Sequence, residues 1–196
     1  MDGVEVGRIS DAQLWRNAVD GDAGSMGVLF ERHADTVYNH CFRRTGLWSA
    51  AEDLTSMVFL EAWRQRRGLR LSQDGSIVPW LLGLANNMVR NHRRALRRYG
   101  RLLGKLPPAD AEPDLAEDAS TRLDAEAEMR RILAAARQLS EVDQDVLALC
   151  VWSGLSYAEA SVALGVPVGT VRSRLSRARA HLRELLPPAS PAGKEN

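Results

Sequence analysis

The chain has 196 residues with 26 basic and 25 acidic groups, a formal net charge of +1 that by itself points to no polyanionic partner. Its length admits one large or two small domains with real cores. No apolar run approaches the ~20 residues of a membrane span, and two cysteines with no signal peptide ahead of them exclude a disulfide scaffold.

These features predict a cytoplasmic protein without membrane insertion, in which Cys41 and Cys150 fill small apolar sites. Charge is unevenly spread. Residues 1–98 carry 14 basic against 11 acidic groups, residues 99–128 carry 3 against 8, and residues 129–196 carry 9 against 6. An acidic middle thus separates two mildly basic ends, whose arginine clusters matter more for phosphate binding than the total. His33, His40, His92 and His181 form no HExxH or paired Cys/His spacing, so no metal or cofactor is expected.

In chain order, Ser10 with Gln13 makes a capping box that opens a helix ending near Val19, before Gly21. A second helix over residues 25–44 has Leu29, Phe30, His33, Val37 and Cys41 on its buried side and Gly46 as its stop, with His33 read as a core histidine. Ser49 and Glu52 form another capping box. It opens a helix with Leu54, Val58, Phe59 and Ala62 inward and Glu52, Asp53, Ser56 and Glu61 outward, closing in the basic turn at residues 64–68. Asp74-Gly75 marks a loop.

Pro79 then starts a long helix to about Tyr99, with Leu81, Leu84, Ala85, Met88 and His92 on one side. Trp80, Asn87, Asn91, Arg94 and Arg98 form an adjacent stripe suited to nucleic acid, since amides read base edges, arginines hold phosphates and a ring stacks on an unpaired base. Trp80 fits two roles, core residue or stacking platform. Residues 104–118, rich in proline and acid, read as an interdomain linker, either a passive tether or an acidic mimic of nucleic acid. Helices follow over residues 121–138 and 140–152, with Val142, Val146 and Leu149 inward and Gly154 as terminator.

The most informative stretch is LSYAEASVALGVPVGTVRSRLSRARAHL, residues 155–182. Ser156 and Glu159 form a capping box, Ala160, Ala163 and Leu164 make a narrow apolar stripe, and Gly165 allows a left-handed turn. Pro167 suits the first turn of the next helix. There Val171, Leu175, Ala178 and Leu182 form a buried seam, leaving Arg172, Ser173, Ser176 and Arg177 on the opposite face. This is a helix-turn-helix, and that face presents forked donors and small hydroxyls to a major groove.

The order of AEDL with FLEAWR, then WLLGLANNMVRNHRR, an acidic linker, and PVGTVRSRLSRAR resembles the extracytoplasmic-function (group 4) sigma factors of bacterial RNA polymerase, over about residues 20–100 and 125–186. The resemblance implies an all-α protein of two small helical domains. They are a four-helix sigma region 2 domain (1–100) and a helix-turn-helix region 4 domain (121–186), joined by a flexible acidic linker (101–120) and followed by a disordered tail (187–196).

It further implies a non-enzymatic promoter-specificity subunit. Asp53, Leu54, Ser56 and Phe59 would dock on the clamp coiled-coil of the largest polymerase subunit, and region 4 would meet the flap of the second-largest. Asn87, Asn91, Arg94, Arg98 and Trp80 would engage the −10 element, with the loop over residues 69–78 cradling a flipped base. Arg172, Ser173, Ser176 and Arg177 would read the −35 element, and an anti-sigma factor would restrain the protein. Ser56 and Met57 stand where the family often has glutamine and glutamate, and Asn91 where many members carry aspartate. The competing reading is a dimeric helix-turn-helix regulator with an N-terminal sensor or dimerisation domain, which predicts a two-fold operator. An enzyme finds no nucleophile–base set in this sequence.

Overall fold

The computed structural model describes residues 9–69, 71, 75–103 and 118–185, and among them every regular element is helical. The first domain opens with α1 (Asp11–Val19), capped by the Ser10 hydroxyl, which accepts from the Gln13 amide. The reciprocal half of the predicted box is replaced, because the Gln13 side chain donates to Asn17 at 2.9 Å instead. α2 (Ala23–Thr45) begins two residues before its predicted start because Asp22 is a strong cap, accepting from the amides of Gly24 and Ser25. It stops at Gly46, whose φ of 74° an L side chain rarely adopts.

α3 (Trp48–Gln65) departs from expectation at its start. Leu47, with no capping side chain, stands at the N-cap, so Ser49 and Glu52 lie inside the helix rather than forming a box. The orphan amide of Trp48 instead donates to Glu126 Oε1 at 2.9 Å, a carboxylate 78 residues away. A short 3₁₀ turn, Arg66–Gly68, follows. α4 (Val78–Leu103) starts where the Ser76 hydroxyl accepts from the Val78 amide, with Pro79 in the first turn where its missing N–H is harmless.

The core of this domain forms where α1 to α4 turn Trp15, Leu29, Val37, Val58, Leu81 and Leu82 toward one another, all at most 1% exposed. Trp15 is satisfied as well as buried, its indole N–H donating to the Leu69 carbonyl at 3.1 Å. His33 is the core histidine the pattern predicts, 2.7 Å from Asp11. Phe30 is not on the buried side: it is 43% exposed and lies edge-on to Phe59.

The second domain comprises α5 (Asp118–Ala136), α6 (Glu141–Leu147), α7 (Tyr157–Leu164) and α8 (Val168–Leu185). The expected single helix over residues 140–152 is divided. Ser140 caps α6, but Ala148–Trp152 forms a π turn, which widens the helix before Gly154 at φ 72°. The helix-turn-helix matches its sequence signature in detail. Ser156 and Glu159 make both bonds of the capping box, Gly165 is left-handed at φ 63°, and the Ser161 hydroxyl donates to the Val166 carbonyl across the turn.

The two helical sets pack directly, α4 against α7 and α2 against α5 and the π turn. Gly83 makes the closest approach, where a methyl group would lie 2.5 Å from the Ala163 carbonyl oxygen. The linker core and the tail predicted from sequence lie outside the described residues.

Candidate nucleic-acid interface

α8 sorts its residues by face. Val171, Leu175 and Ala178 are at most 1% exposed, and this anchors the helix so that Arg172, Ser173, Ser176 and Arg177 all face outward. The structure therefore brings the four expected −35 residues onto one surface. Their side chains are lightly held. Arg172 lies 6.0 Å over the Tyr157 ring, the Ser173 hydroxyl donates to the Thr170 carbonyl, and Arg177 pairs with Asp143 at 3.2 Å. An exposed pair of this kind contributes about 0–1 kcal/mol, so a guanine edge or a phosphate can displace it. Arg174 is half-buried beside the seam and Arg179 is exposed.

α4 carries a second polar surface. Asn87, Asn91, Arg94 and Arg98 are exposed along one side, as their spacing predicts. Three of them, Asn87, Asn91 and Arg98, line a groove of about 570 Å³ whose opposite wall is α3 with Met57, Glu61 and Gln65. Trp80 is half-buried, its ring edge-on to Trp15 at 5.1 Å between centroids, which assigns it mainly to packing.

The expected polymerase-docking set divides. Asp53 and Ser56 are exposed on α3, whereas Leu54 and Phe59 are 3% and 6% exposed and belong to the core, because they fall on the inward stripe with Val58 and Ala62. Leu54 reaches the surface only at the floor of the groove between α3 and α4. Met57 and Leu60, 52% and 51% exposed, are the apolar groups α3 offers. Their signal was present in the sequence as two large apolar residues, three apart, lying off the inward stripe.

A third side of α4 faces the second domain and was not anticipated. Asp145 of α6, 1% exposed, receives a hydrogen bond from Arg44 Nη2 at 2.7 Å and lies 2.5 Å from Arg90 Nη2. The buried Asn86 amide adjoins this carboxylate and favours its charged form. Nearby, Arg93 donates to Gln144 at 2.8 Å and Arg97 pairs with Glu141 at 2.5 Å. Burial dominates the electrostatics: it pushes Asp145 above the usual carboxylate range despite the arginines, and takes Arg44 down to about 10 despite Asp145. Desolvation thus outweighs attraction on both partners.

At the other end of this interface, His40 Nδ1 lies 2.8 Å from the Ser153 hydroxyl and Arg43 donates to the Trp152 carbonyl. Burial, then the charges of Arg44 and Arg43, push the His40 imidazole down to about 3. Cys41 is equally sequestered, its thiol pushed up to about 12 by burial, which makes it an inert core group. No cluster of His, Cys, Asp and Glu suited to a metal ion occurs among the described residues, and no described helix is long and apolar enough to cross a membrane.

The comparisons with known proteins follow this division of surfaces. Residues 29–99, holding α3 and most of α4, match the Sigma-70 region 2 family, and residues 129–182, holding the helix-turn-helix, match Sigma-70, region 4. Among curated relatives, the chain is 32% identical over 176 residues to the ECF RNA polymerase sigma factor BldN of Streptomyces coelicolor, covering 89% of this chain and 65% of that protein. It is 30% identical over 182 residues to the RNA polymerase sigma factor NccH of Alcaligenes xylosoxydans xylosoxydans, covering 90% and 94%. The chain thus spans just under two thirds of BldN and nearly all of NccH.

Among solved structures, the fold is shared with CnrH in complex with the cytosolic domain of CnrY, at a TM-score of 0.67 and 23% identity over 92% of this chain and 99% of that one. It is shared also with the sigma factor RpoE of Bartonella quintana, solved with the anti-sigma factor NepR, at a TM-score of 0.53 and 20% identity over 81% and 94%. With regions 2 and 4 matched in order, NccH aligned along nearly its whole length at 30% identity and an ECF sigma factor matched at 32%, the chain belongs to the sigma-70 family of RNA polymerase sigma factors, in its extracytoplasmic-function branch.

Proposed function

We propose that the protein is an alternative sigma factor that binds core RNA polymerase and directs initiation at promoters carrying its −10 and −35 elements. The observation that carries this reading is the presence, in one chain, of two differently built nucleic-acid surfaces on the segments matching regions 2 and 4. α8 offers arginines and small hydroxyls fit for a duplex major groove. The outer side of α4 offers Asn87, Asn91, Arg94 and Arg98 beside a groove fit for an unpaired strand. In this reading Asn87 and Asn91 contact exposed bases of the −10 element, Arg94 and Arg98 hold its backbone, and Trp80 supports the helix from the core. Arg172, Ser173, Ser176 and Arg177 read the −35 element.

Polymerase docking falls to Asp53, Ser56, Met57 and Leu60, the exposed groups of α3, on the clamp coiled-coil of the largest subunit; region 4 meets the flap of the second-largest. An anti-sigma factor, the partner with which RpoE of B. quintana was solved, would compete for these same surfaces. The dimeric-regulator reading is not favoured, since its sensor domain would have to be the segment that matches region 2. Run-off transcription with purified core polymerase on genomic fragments tests the proposal: initiation that requires this protein supports it. A palindromic footprint without polymerase, and no initiation, overturns it.

A further inference from the structure

The groove between α3 and α4 carries an anomaly. Its α4 wall offers Asn87, Asn91 and Arg98, groups suited to a nucleic-acid strand, yet its α3 wall offers Glu61. A carboxylate repels a phosphate backbone, so a strand surface gains from one only where a donor meets it. Arg64 does not fill that role. It is exposed and lies 3.7 Å from Glu61 Oε2, outside hydrogen-bond range.

The group Glu61 does hold is Gln65. Gln65 Nε2 donates to Glu61 Oε1 at 2.6 Å, one helical turn away. An ionised carboxylate only accepts, so the Gln65 amide gives its NH2 to Glu61 and leaves its carbonyl oxygen free. Glu61 Oε2 and Gln65 Oε1 are thus two acceptors on one wall, neither of them hydrogen-bonded among the described residues. Leu54, Leu84 and Met88 also line the groove, apolar groups against which the face of a ring can lie. Its volume of about 570 Å³ falls within the usual size of small-ligand sites.

A pair of acceptors discriminates among bases. An unpaired base taken into a pocket is read along its Watson–Crick edge. On that edge adenine and cytosine each present one amino donor beside a ring-nitrogen acceptor, and thymine presents one N–H between two carbonyls. Guanine alone presents two adjacent donors, N1–H and the N2 amino group. The opposite wall completes the match, since the amides of Asn87 and Asn91 donate to acceptors such as guanine O6 and N7.

We propose that the groove between α3 and α4 is a pocket for one unpaired guanine, with Glu61 and Gln65 as the residues that select it. The inference rests on the outer side of α4 being the unpaired-strand surface, and it names the base that surface takes.

The test uses the full chain and fluorescence anisotropy of short single-stranded oligothymidines whose central base is guanine, adenine, cytosine or thymine. The guanine strand is expected to bind about tenfold more tightly than the other three, within the scale of a bidentate base contact. Glu61→Gln removes charge without changing shape, so it should tighten binding of all four strands while abolishing most of the guanine advantage. Gln65→Ala should reduce that advantage without the general tightening. Both side chains are at least partly exposed, so the variants should keep the native denaturation midpoint, which shows that they fold.

No binding by the native protein, equal affinity for the four strands or preference for another base overturns the pocket. A guanine advantage that survives both substitutions overturns the roles of Glu61 and Gln65. Run-off transcription by the native protein is measured beside these. Guanine selection without initiation then counts against the promoter reading alone, and initiation without guanine selection counts against the pocket alone.

Discussion

Two polar sides of α4, one residue apart in sequence, have opposite fates. Asn87, Asn91, Arg94 and Arg98 stand in solvent, whereas Asn86, Arg90 and Arg93 are buried or half-buried against the second domain. A step of one residue turns a side chain by about 100°, and that rotation separates an open polar surface from one occupied by Asp145. Amphipathic patterning distinguishes apolar from polar sides; it does not say which polar side a neighbouring domain will cover.

The largest way to break the comparison is Arg44→Ala. It leaves the buried Asp145 carboxylate with Arg90 and the Asn86 amide as its neighbours, and removal of one member of a buried pair costs about 3–5 kcal/mol. The loss should appear as a lower midpoint in chemical denaturation. Arg94→Ala, on the open side, is expected to change stability by less than about 0.5 kcal/mol. Equal losses would erase the distinction between the two sides.

Acid should loosen the covered side next. His40 has a folded pKa of about 3 against 6.5, so the stability linked to its neutral form is fully present above pH 6.5. It declines as pH falls below 6.5 toward 3, by about 1.4 kcal/mol per unit. Asp145, pushed upward by burial, works in the opposite sense by taking a proton in the packed form. The measurement is therefore the difference between native protein and His40→Gln in denaturation midpoints from pH 7 to 5; parallel pH profiles would show that His40 is not linked.

On the second domain, Arg177→Ala should weaken −35 recognition by ~1–3 kcal/mol, the scale of a good base contact, in competition binding against a scrambled element. Uniform loss on all sequences would make Arg177 a phosphate anchor. The smallest effect belongs to Met57→Ser. Shortening and hydroxylating a half-exposed side chain should leave folding within about 0.5 kcal/mol and reduce polymerase affinity about threefold to tenfold by pull-down titration, a loss of about 1 kcal/mol. No change in affinity would remove Met57 from the docking surface.

Legibility in the sequence followed the range of the interactions. The helix-turn-helix was readable almost atom by atom because its determinants are local: Ser156 and Glu159 are three residues apart, and Gly165 acts through its own φ. The four outward residues of α8 followed from the helical period. The start of α3 was misread because Ser49 and Glu52 have capping-box spacing, while the Trp48 amide finds its acceptor on Glu126, far along the chain. Leu54 and Phe59, which family resemblance put in the docking set, are buried as their own spacing on the inward stripe predicts.

The sequence by itself determined an all-helical chain with an acidic middle, a helix-turn-helix with an outward arginine and serine face, and a polar stripe on α4, since capping, glycine φ and apolar period are properties of a few neighbouring residues. Only the tertiary structure decided that Arg44 and Arg90 close on Asp145, 101 and 55 positions away, and that Gly83 lets α4 touch the backbone at Ala163. Asp145 sits between Gln144 and Val146 in a run that reads as an ordinary polar helix face. Its burial is a property of two helical domains meeting, and no local pattern encodes where two domains meet.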